Sequence, residues 1–236
     1  MYMSKIVVLL SGGMDSTVLA HHLNDQGHEL RALAFNYGQR HVREVQAAEA
    51  QADILKIPFS IADLAGLRDL LPGSSQTDPT VAVPTGHYTA ENMKATVVPN
   101  RNMILLAIAV GHAIAHGCDA VAYAAHAGDH AIYPDCRPEF VDALQLAVNL
   151  CDEKHIDLER PFIRMTKNQI VSLGQALHVP FQNTWTCYVG GSLHCGRCGT
   201  CVERREAFFL AGIEDPVKYA KDAPSTESLV KSNWRF

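Results

Sequence analysis

The sequence carries no excess of positive charge: Lys plus Arg number 20 against 25 for Asp plus Glu, a net charge of −5. Neutralising many phosphates calls for the opposite balance, so the expectation is a soluble, mildly acidic globule without a nucleic-acid partner. Long apolar runs are scarce as well. Outside the opening, the longest covers residues 103–115, too short to span a bilayer and interrupted by His112; it reads as a core helix, and no membrane partner is expected. The opening MYMSKIVVLLSGGMDS has one Lys, a short apolar run and no small-residue cleavage site, so it reads as a buried strand rather than a signal peptide. With no secretion signal, the seven cysteines point to a reducing compartment, the cytoplasm, where clustered Cys bind metal. No internal repeat or low-complexity tract is found, which argues against a repeat array.

What is present is enough apolar material for a full core: 47% of 236 residues are hydrophobic, the size of one ordinary domain with a small appendage. Strand-length apolar runs at 6–10, 28–35, 58–62 and 119–124 alternate with helical patterns from about 15, over 41–54, 100–116, 138–150 and 167–177. This alternation is the signal for an α/β fold built on a doubly wound, mostly parallel sheet. Residues 72–99, rich in Pro, Gly, Ser and Thr, are expected to form a surface excursion, a lid or mobile loop. After about Thr184 the composition turns to Cys, Gly and Arg, which divides the chain into an α/β domain over 1–183 and a small module over 184–236.

The sharpest motif is Ser11-Gly12-Gly13-Met14-Asp15-Ser16, between an apolar strand and a helix. Two glycines let the backbone turn sharply and approach an anion, and the amides of the new helix point at it with the helix dipole assisting. Ser11, Ser16 and Thr17 add hydroxyls. Asp15 makes sense beside phosphates if it holds a magnesium ion that bridges to them. The Walker A lysine and spacing are absent, as is the dinucleotide fingerprint. The plain alternative is an ordinary strand-to-helix turn with Asp15 or Ser16 as N-cap.

The loop resembles that of the N-type ATP pyrophosphatases, whose signature S-G-G-x-D-S follows the first strand. The resemblance implies an adenine nucleotide alpha-hydrolase-like fold and cleavage of ATP between the α- and β-phosphates, with AMP passed to a substrate oxygen. It also implies that the run Leu9, Leu10, Ser11, Gly12, Gly13, Met14, Asp15, Ser16, Thr17, Val18 and Leu19 holds ATP.

Cys187, Cys195, Cys198 and Cys201 stand as C-x7-C-x2-C-x2-C. Four thiolates leave no open coordination position, so such a site is structural: one zinc per chain, with an iron–sulfur cluster as the alternative metal and disulfides disfavoured. His194 is a spare ligand that four cysteines do not need. Cys118 and Cys151 read as thiols without a special role.

Three further stretches matter. Tyr37-Gly38-Gln39-Arg40-His41 follows the second strand, Pro99-Asn100-Arg101-Asn102 opens a hydrophobic helix, and Tyr133-Pro134-Asp135-Cys136-Arg137-Pro138-Glu139-Phe140 puts acids, a base and aromatics in one loop. With Thr166-Lys167 and the Thr184-Trp185 entry to the cysteines, they resemble one branch of the pyrophosphatases, the 7-cyano-7-deazaguanine synthases of queuosine precursor synthesis. The resemblance runs from Ile6 to about Ala211. It departs at His126-Ala127-Gly128-Asp129-His130, where a glycine- and acid-rich approach is expected. His126 and His130 have metal-ligand spacing, with ring stacking or surface placement the favoured reading.

The resemblance implies a homodimeric ligase that turns 7-carboxy-7-deazaguanine and ammonia into the nitrile in two rounds. The carboxylate is adenylated and replaced by amide, then the amide oxygen is adenylated and AMP lost. Asp15, Ser16, Lys167 and Arg101 are the expected catalytic residues. Gln39, Arg40, His41, Tyr133, Asp135, Arg137, Glu139 and Phe140 are expected to bind substrate: the cations on oxyanions, Asp135 or Glu139 on the guanine-like edge, Tyr133 or Phe140 stacked on the ring. Two rivals stand beside this. A tRNA-thiolating or amidating relative would use Cys136 to carry sulfur in the first case. A non-catalytic zinc module would present Arg204 and Arg205 to nucleic acid.

Overall fold

The computed structural model describes residues 3–40, 42–87, 92–129 and 133–235. The chain runs β1 (Lys5–Leu9), α1 (Met14–Asp25), β2 (Glu29–Asn36), α2 (Arg43–Leu55), β3 (Phe59–Asp63), α3 (Leu67–Leu70), α4 (Arg101–Ala115), β4 (Ala120–Ala122), α5 (Pro138–Val148), β5 (Asp157–Glu159), α6 (Lys167–Ala176), α7 (Gly199–Ala211) and α8 (Thr226–Lys231). The five strands form one sheet in the order β3-β2-β1-β4-β5. Every pairing is parallel, with Val7 opposite Arg31 on one side and Val121 on the other. Parallel strands need crossover helices, and those helices cover both faces.

Alternation along each strand divides the core. Ile6, Val8, Ala32 and Ala34 face α1, α2, α6 and α7, while Val7, Leu33, Phe35 and Val121 face α4 and α5. Helix α4 is held by a stripe of Leu105, Leu106, Ala109, Val110 and Ala113, all buried. The order reverses between β1 and β4. In such sheets the crevice at the carboxyl ends of the strands, beside that reversal, is where ligands bind.

Two stretches differ from the sequence expectation. Residues 72–99 do not simply run over the surface: Ser74, Ser75, Gln76 and Thr77 are 0–4% exposed, and Met93, Thr96 and Val98 are buried as well. Gln76 is partnered there, its Nε2 donating to the Thr96 carbonyl at 2.7 Å, whereas Ser75 Oγ and Thr77 Oγ1 are buried without a hydrogen-bond partner among the described residues. Helix α7 was hidden in the sequence by its Cys-Gly-Arg composition, and its Ala207 and Phe208 join the same core as α1 and α6. Arg204 and Arg205 are only 1% and 7% exposed. Arg204 makes a paired contact with Asp215, Nε to Oδ2 and Nη2 to Oδ1 both at 2.9 Å, and Arg205 donates to the Pro224 carbonyl and Thr226. These arginines hold the C-terminal segment and are not a basic surface.

Close helix packing at α1 and α6 depends on Gly174, where an added Cβ would lie 2.4 Å from Phe181 Cζ and 2.7 Å from Val18 Cγ2. Both neighbours are buried and have little room to shift. Gly174→Ala would gain about 1 kcal/mol of helix propensity but lose about 1–3 kcal/mol to overpacking. We expect a net loss that lowers Tm by about 2–6 °C in scanning calorimetry; an unchanged or higher Tm would show that α6 can move away from α1.

Candidate active site and metal centre

Beyond β1 the chain turns at Gly12, whose φ of +78° is left-handed. A Cβ there would lie 2.1 Å from the Glu44 carbonyl and 2.6 Å from the Ala48 nitrogen, so only glycine lets the loop press against α2. Gly13 is the N-cap of α1 and supplies no side-chain cap. The first-turn amides are thereby left for an outside acceptor, and neither Asp15 nor Ser16 is the N-cap of an ordinary turn. Ser11 and Ser16 brace the loop: their hydroxyls lie 2.9 Å apart, and the Ser11 N–H donates to Ser16 Oγ at 3.2 Å.

A cavity of about 290 Å³ opens here, lined by residues of β1, β2, α1, α2, α4, α6 and α7. Of the run expected to hold ATP, Leu9, Leu10, Ser11, Gly13, Met14, Asp15 and Ser16 line it. Gly12 stands behind against α2, and Thr17, Val18 and Leu19 point into the core, each fully buried.

The cavity has two chemically distinct ends. At one, Lys167 Nζ lies 2.5 Å from Glu203 Oε2 and 3.5 Å from Asp15 Oδ2. Lys167 is the first residue of α6, where the helix dipole disfavours a cation. Burial disfavours it too, but Asp15, Glu203 and Asp129 outweigh that and hold the ammonium well above the ordinary lysine range. His126 is 2% exposed, which excludes surface placement. Its Nδ1 accepts from the Gly128 N–H at 3.1 Å, so Nε2 carries the proton toward Asp129 Oδ2 at 3.5 Å and Asp15 Oδ2 at 3.8 Å. Burial pushes the Asp129 carboxyl above the usual carboxylate range, with His126 and Lys167 opposing. Asp15 Oδ1 is buried and has no hydrogen-bond partner among the described residues.

The other end is lined by Tyr37, Tyr133, Tyr188, Gln39, Gln76, Arg101 and Glu44. Arg101 Nη1 donates to Gln76 Oε1 at 3.1 Å, and its guanidinium lies 5.8 Å from the centre of the Tyr37 ring. Burial pushes the Glu44 carboxyl up to about 7, with Arg101 opposing.

Other expected site residues stand elsewhere. Arg40 donates to the Asp78 and Val81 carbonyls and so anchors the 72–99 segment. Asp135 accepts from the Asn102 N–H at 3.3 Å at the start of α4, and Phe140 packs into the core around α4 and α5. Arg137 and Glu139 are exposed, and neither lines the cavity. His41 and His130 lie outside the described residues. Sequence reasoning missed Glu44, Glu203 and the role of Asp129, which topology alone brings to the crevice. The one local signal was Asp129, in the stretch where the family resemblance weakens.

The sulfurs of Cys187, Cys195, Cys198 and Cys201 all lie within 4.8 Å of one another, and those of Cys195 and Cys201 are 3.9 Å apart. Zinc–sulfur bonds of about 2.3 Å at tetrahedral angles place sulfurs about 3.8 Å apart, so these four residues can hold a metal ion. Backbone N–H groups of Cys195 and Cys198 donate to Cys187 Sγ and Cys195 Sγ at 3.3 and 3.2 Å, as thiolates require. His194 is not a fifth ligand: Nε2 accepts from the Thr186 N–H at 3.2 Å and the ring stacks on Trp185. The cluster is tied to the cavity, because the Trp185 N–H donates to the Gly12 carbonyl at 2.9 Å and Glu203 is two residues beyond Cys201.

The profile of the family described as queuosine biosynthesis protein QueC matches residues 5–212. The chain belongs to the QueC family. Relatives named 7-cyano-7-deazaguanine synthase include one from Sinorhizobium fredii, 52% identical over 217 residues, covering 91% of this chain and 92% of that protein. Another, from Caldicellulosiruptor saccharolyticus, is 47% identical over 215 residues, covering 91% and 95%, and a third, from Methanoregula boonei, is 50% identical over 215 residues, covering 91% and 99%. Among solved structures, NMN synthetase from Francisella tularensis aligns with a TM-score of 0.52 at 17% identity over 98% of this chain and 82% of that one. A 4-thiouridine synthetase in complex with RNA and bound ATP aligns with a TM-score of 0.51 at 16% identity, over 77% and 44%. At these identities the structural likeness concerns the fold.

Replacing Cys198 with Ser is expected to take metal content from about one ion per chain to near none. It should also weaken ATP binding, through the tie from Trp185 to Gly12. Elemental analysis and calorimetric titration with an ATP analogue check this; full metal retention would contradict a four-cysteine centre.

Proposed function

We propose that the chain is an ATP-dependent ligase that converts 7-carboxy-7-deazaguanine and ammonia to 7-cyano-7-deazaguanine, releasing AMP and pyrophosphate. The observation that carries this reading is that, in a QueC-family chain, a phosphate-type loop and an aromatic, mixed-charge recess open into one cavity. A substrate seated in the recess has its reactive oxygen aimed at the α-phosphorus of ATP on the loop. Both rounds need only that geometry, first with a carboxylate oxygen and then with an amide oxygen.

The first-turn amides of α1 and the Ser11 and Ser16 hydroxyls would take the departing pyrophosphate, as fixed dipoles that need no reorganisation. Lys167, held charged by Asp15 and Glu203, would place its ammonium on the phosphate oxygens as charge develops there. Arg101 stands at the other end and would meet the substrate. Asp15 and Asp129 are the residues that would hold magnesium, the unpartnered Asp15 Oδ1 being the supporting observation; the ion would neutralise phosphate charge. Zinc is the metal proposed for the four cysteines, as a structural ion. The chain is proposed to act in the cytoplasm as a homodimer.

A sulfur-carrying role for Cys136 is disfavoured. Burial pushes the thiol well above the ordinary range, outweighing the hydrogen bond its Sγ accepts from Asn102 Nδ2 at 3.3 Å, and so away from the thiolate that nucleophilic attack needs.

Incubation with ATP, magnesium, ammonium and 7-carboxy-7-deazaguanine should yield AMP, pyrophosphate and the nitrile by mass spectrometry. Asp15→Ala should lower AMP formation by at least about 100-fold with metal content unchanged. AMP without nitrile would reopen the substrate. No AMP from folded, metal-replete protein would overturn the reading.

A further inference from the structure

Among the described residues, the recess end of the cavity holds one carboxylate apart from the group around Lys167. Asp15, Asp129 and Glu203 are all engaged with Lys167 or His126. Glu44 is not. It lines the cavity, yet neither carboxylate oxygen receives a hydrogen bond or an ion pair from any described residue. A glutamate in the first turn of a helix is ordinarily explained by the helix dipole, but such a residue faces water. Glu44 is half-buried in a recess lined by Tyr37, Tyr188 and Arg101, where a carboxylate without a partner is costly.

The amide side chains nearby are already occupied. Gln39 accepts from the Tyr37 N–H and donates to the Phe35 carbonyl. Gln76 accepts from the Tyr37 hydroxyl and from Arg101 and donates to the Thr96 carbonyl. Asn102 donates to Cys136. The two oxygens of Glu44 are therefore a pair of acceptors with nothing among the described residues to accept from.

Two oxygens of one carboxylate match an edge that presents two parallel N–H groups. On the functional reading above, on which this inference rests, the substrate offers one such edge: the ring N–H and 2-amino group of the guanine-like base. We propose that Glu44 reads this edge and makes the enzyme specific for 2-amino heterocycles. The fold keeps it in register with the chemistry. The Glu44 carbonyl is the atom that the Gly12 backbone presses against, so the base reader and the phosphate loop are set by one contact. Asp135 and Glu139, which the sequence motif suggested for this role, do not line the cavity.

The test is calorimetric binding, and kcat/KM where turnover occurs, with two bases: 7-carboxy-7-deazaguanine and its analogue lacking the 2-amino group. Wild-type protein should prefer the first by at least about 100-fold, as sites built to hydrogen-bond an N–H reject ligands lacking it. Glu44→Gln should lose most of its affinity for the first base, mainly in KM, and its preference should collapse to within about 10-fold. Its affinity for a non-hydrolysable ATP analogue and its metal content should match wild type. Glu44→Asp, which keeps the carboxylate, should retain a preference and guards against a Gln variant that fails to fold. A Glu44→Gln protein that discriminates like wild type would overturn the proposal. Tight, 2-amino-dependent binding of the base without turnover would instead defeat the reaction assigned above and leave the role of Glu44 standing.

Discussion

Lys167 comes from the first turn of α6, Asp15 from the first turn of α1 and Glu203 from α7, and the three meet with the ammonium 3.5 and 2.5 Å from the two carboxylates. An ammonium buried this far is tolerated only when carboxylates surround it, and breaking such a group leaves uncompensated charge. The constraint runs both ways. Asp129 and Asp15 also converge on His126, so three carboxylates share one lysine and one histidine. This balance leaves the centre short of positive charge, and a divalent cation held there would correct it. The helices that carry these side chains are fixed by the core packing of α1 against α6 and α6 against α7, with Gly174 and Phe181 at the contact.

The cysteine segment belongs to the same constraint. Cys198 is the N-cap of α7 and Cys201 lies in its first turn, so a metal there fixes the start of the helix that delivers Glu203. The same segment holds the phosphate loop through Trp185 and Gly12. It also holds the middle of the 72–99 segment, where the Gly86 N–H donates to the Arg197 carbonyl at 2.8 Å. A closed four-sulfur centre does no chemistry, but here it lies one helical turn from residues that would.

The sequence disclosed those parts of this arrangement that are local. Strand β1 and the Ser-Gly-Gly-Met-Asp-Ser turn were legible because apolar run, glycines and helix start are contiguous. The cysteines were legible because their spacing alone brings sulfurs together. Strand β5 was not: Asp157, Leu158 and Glu159 have no strand pattern, and only the register against β4 makes them one. Arg204 and Arg205 read as solvent-facing because adjacent arginines usually are. Their burial depends on Asp215, Pro224 and Thr226, which approach only once the chain has turned back. Glu44 and Glu203 lie in ordinary helical sequence, and nothing within a few residues of either marks it.

The separation of the two ends bears on how one cavity would serve two rounds. If the base is held at its ring edge and face, far from the reacting substituent, exchange of carboxylate for amide leaves those contacts unchanged. The charged end sees the same leaving group both times. What differs between rounds is the charge on the substrate oxygen, anionic first and neutral second. The cation facing that oxygen must therefore not be needed for binding, or the amide would leave before its adenylation. An edge-on reader whose interaction is independent of the substituent supplies that retention, and a carboxylate against two N–H groups is such a reader. The division of labour places binding energy on the unchanging part of the substrate and leaves Lys167 and the loop amides to act on the phosphates.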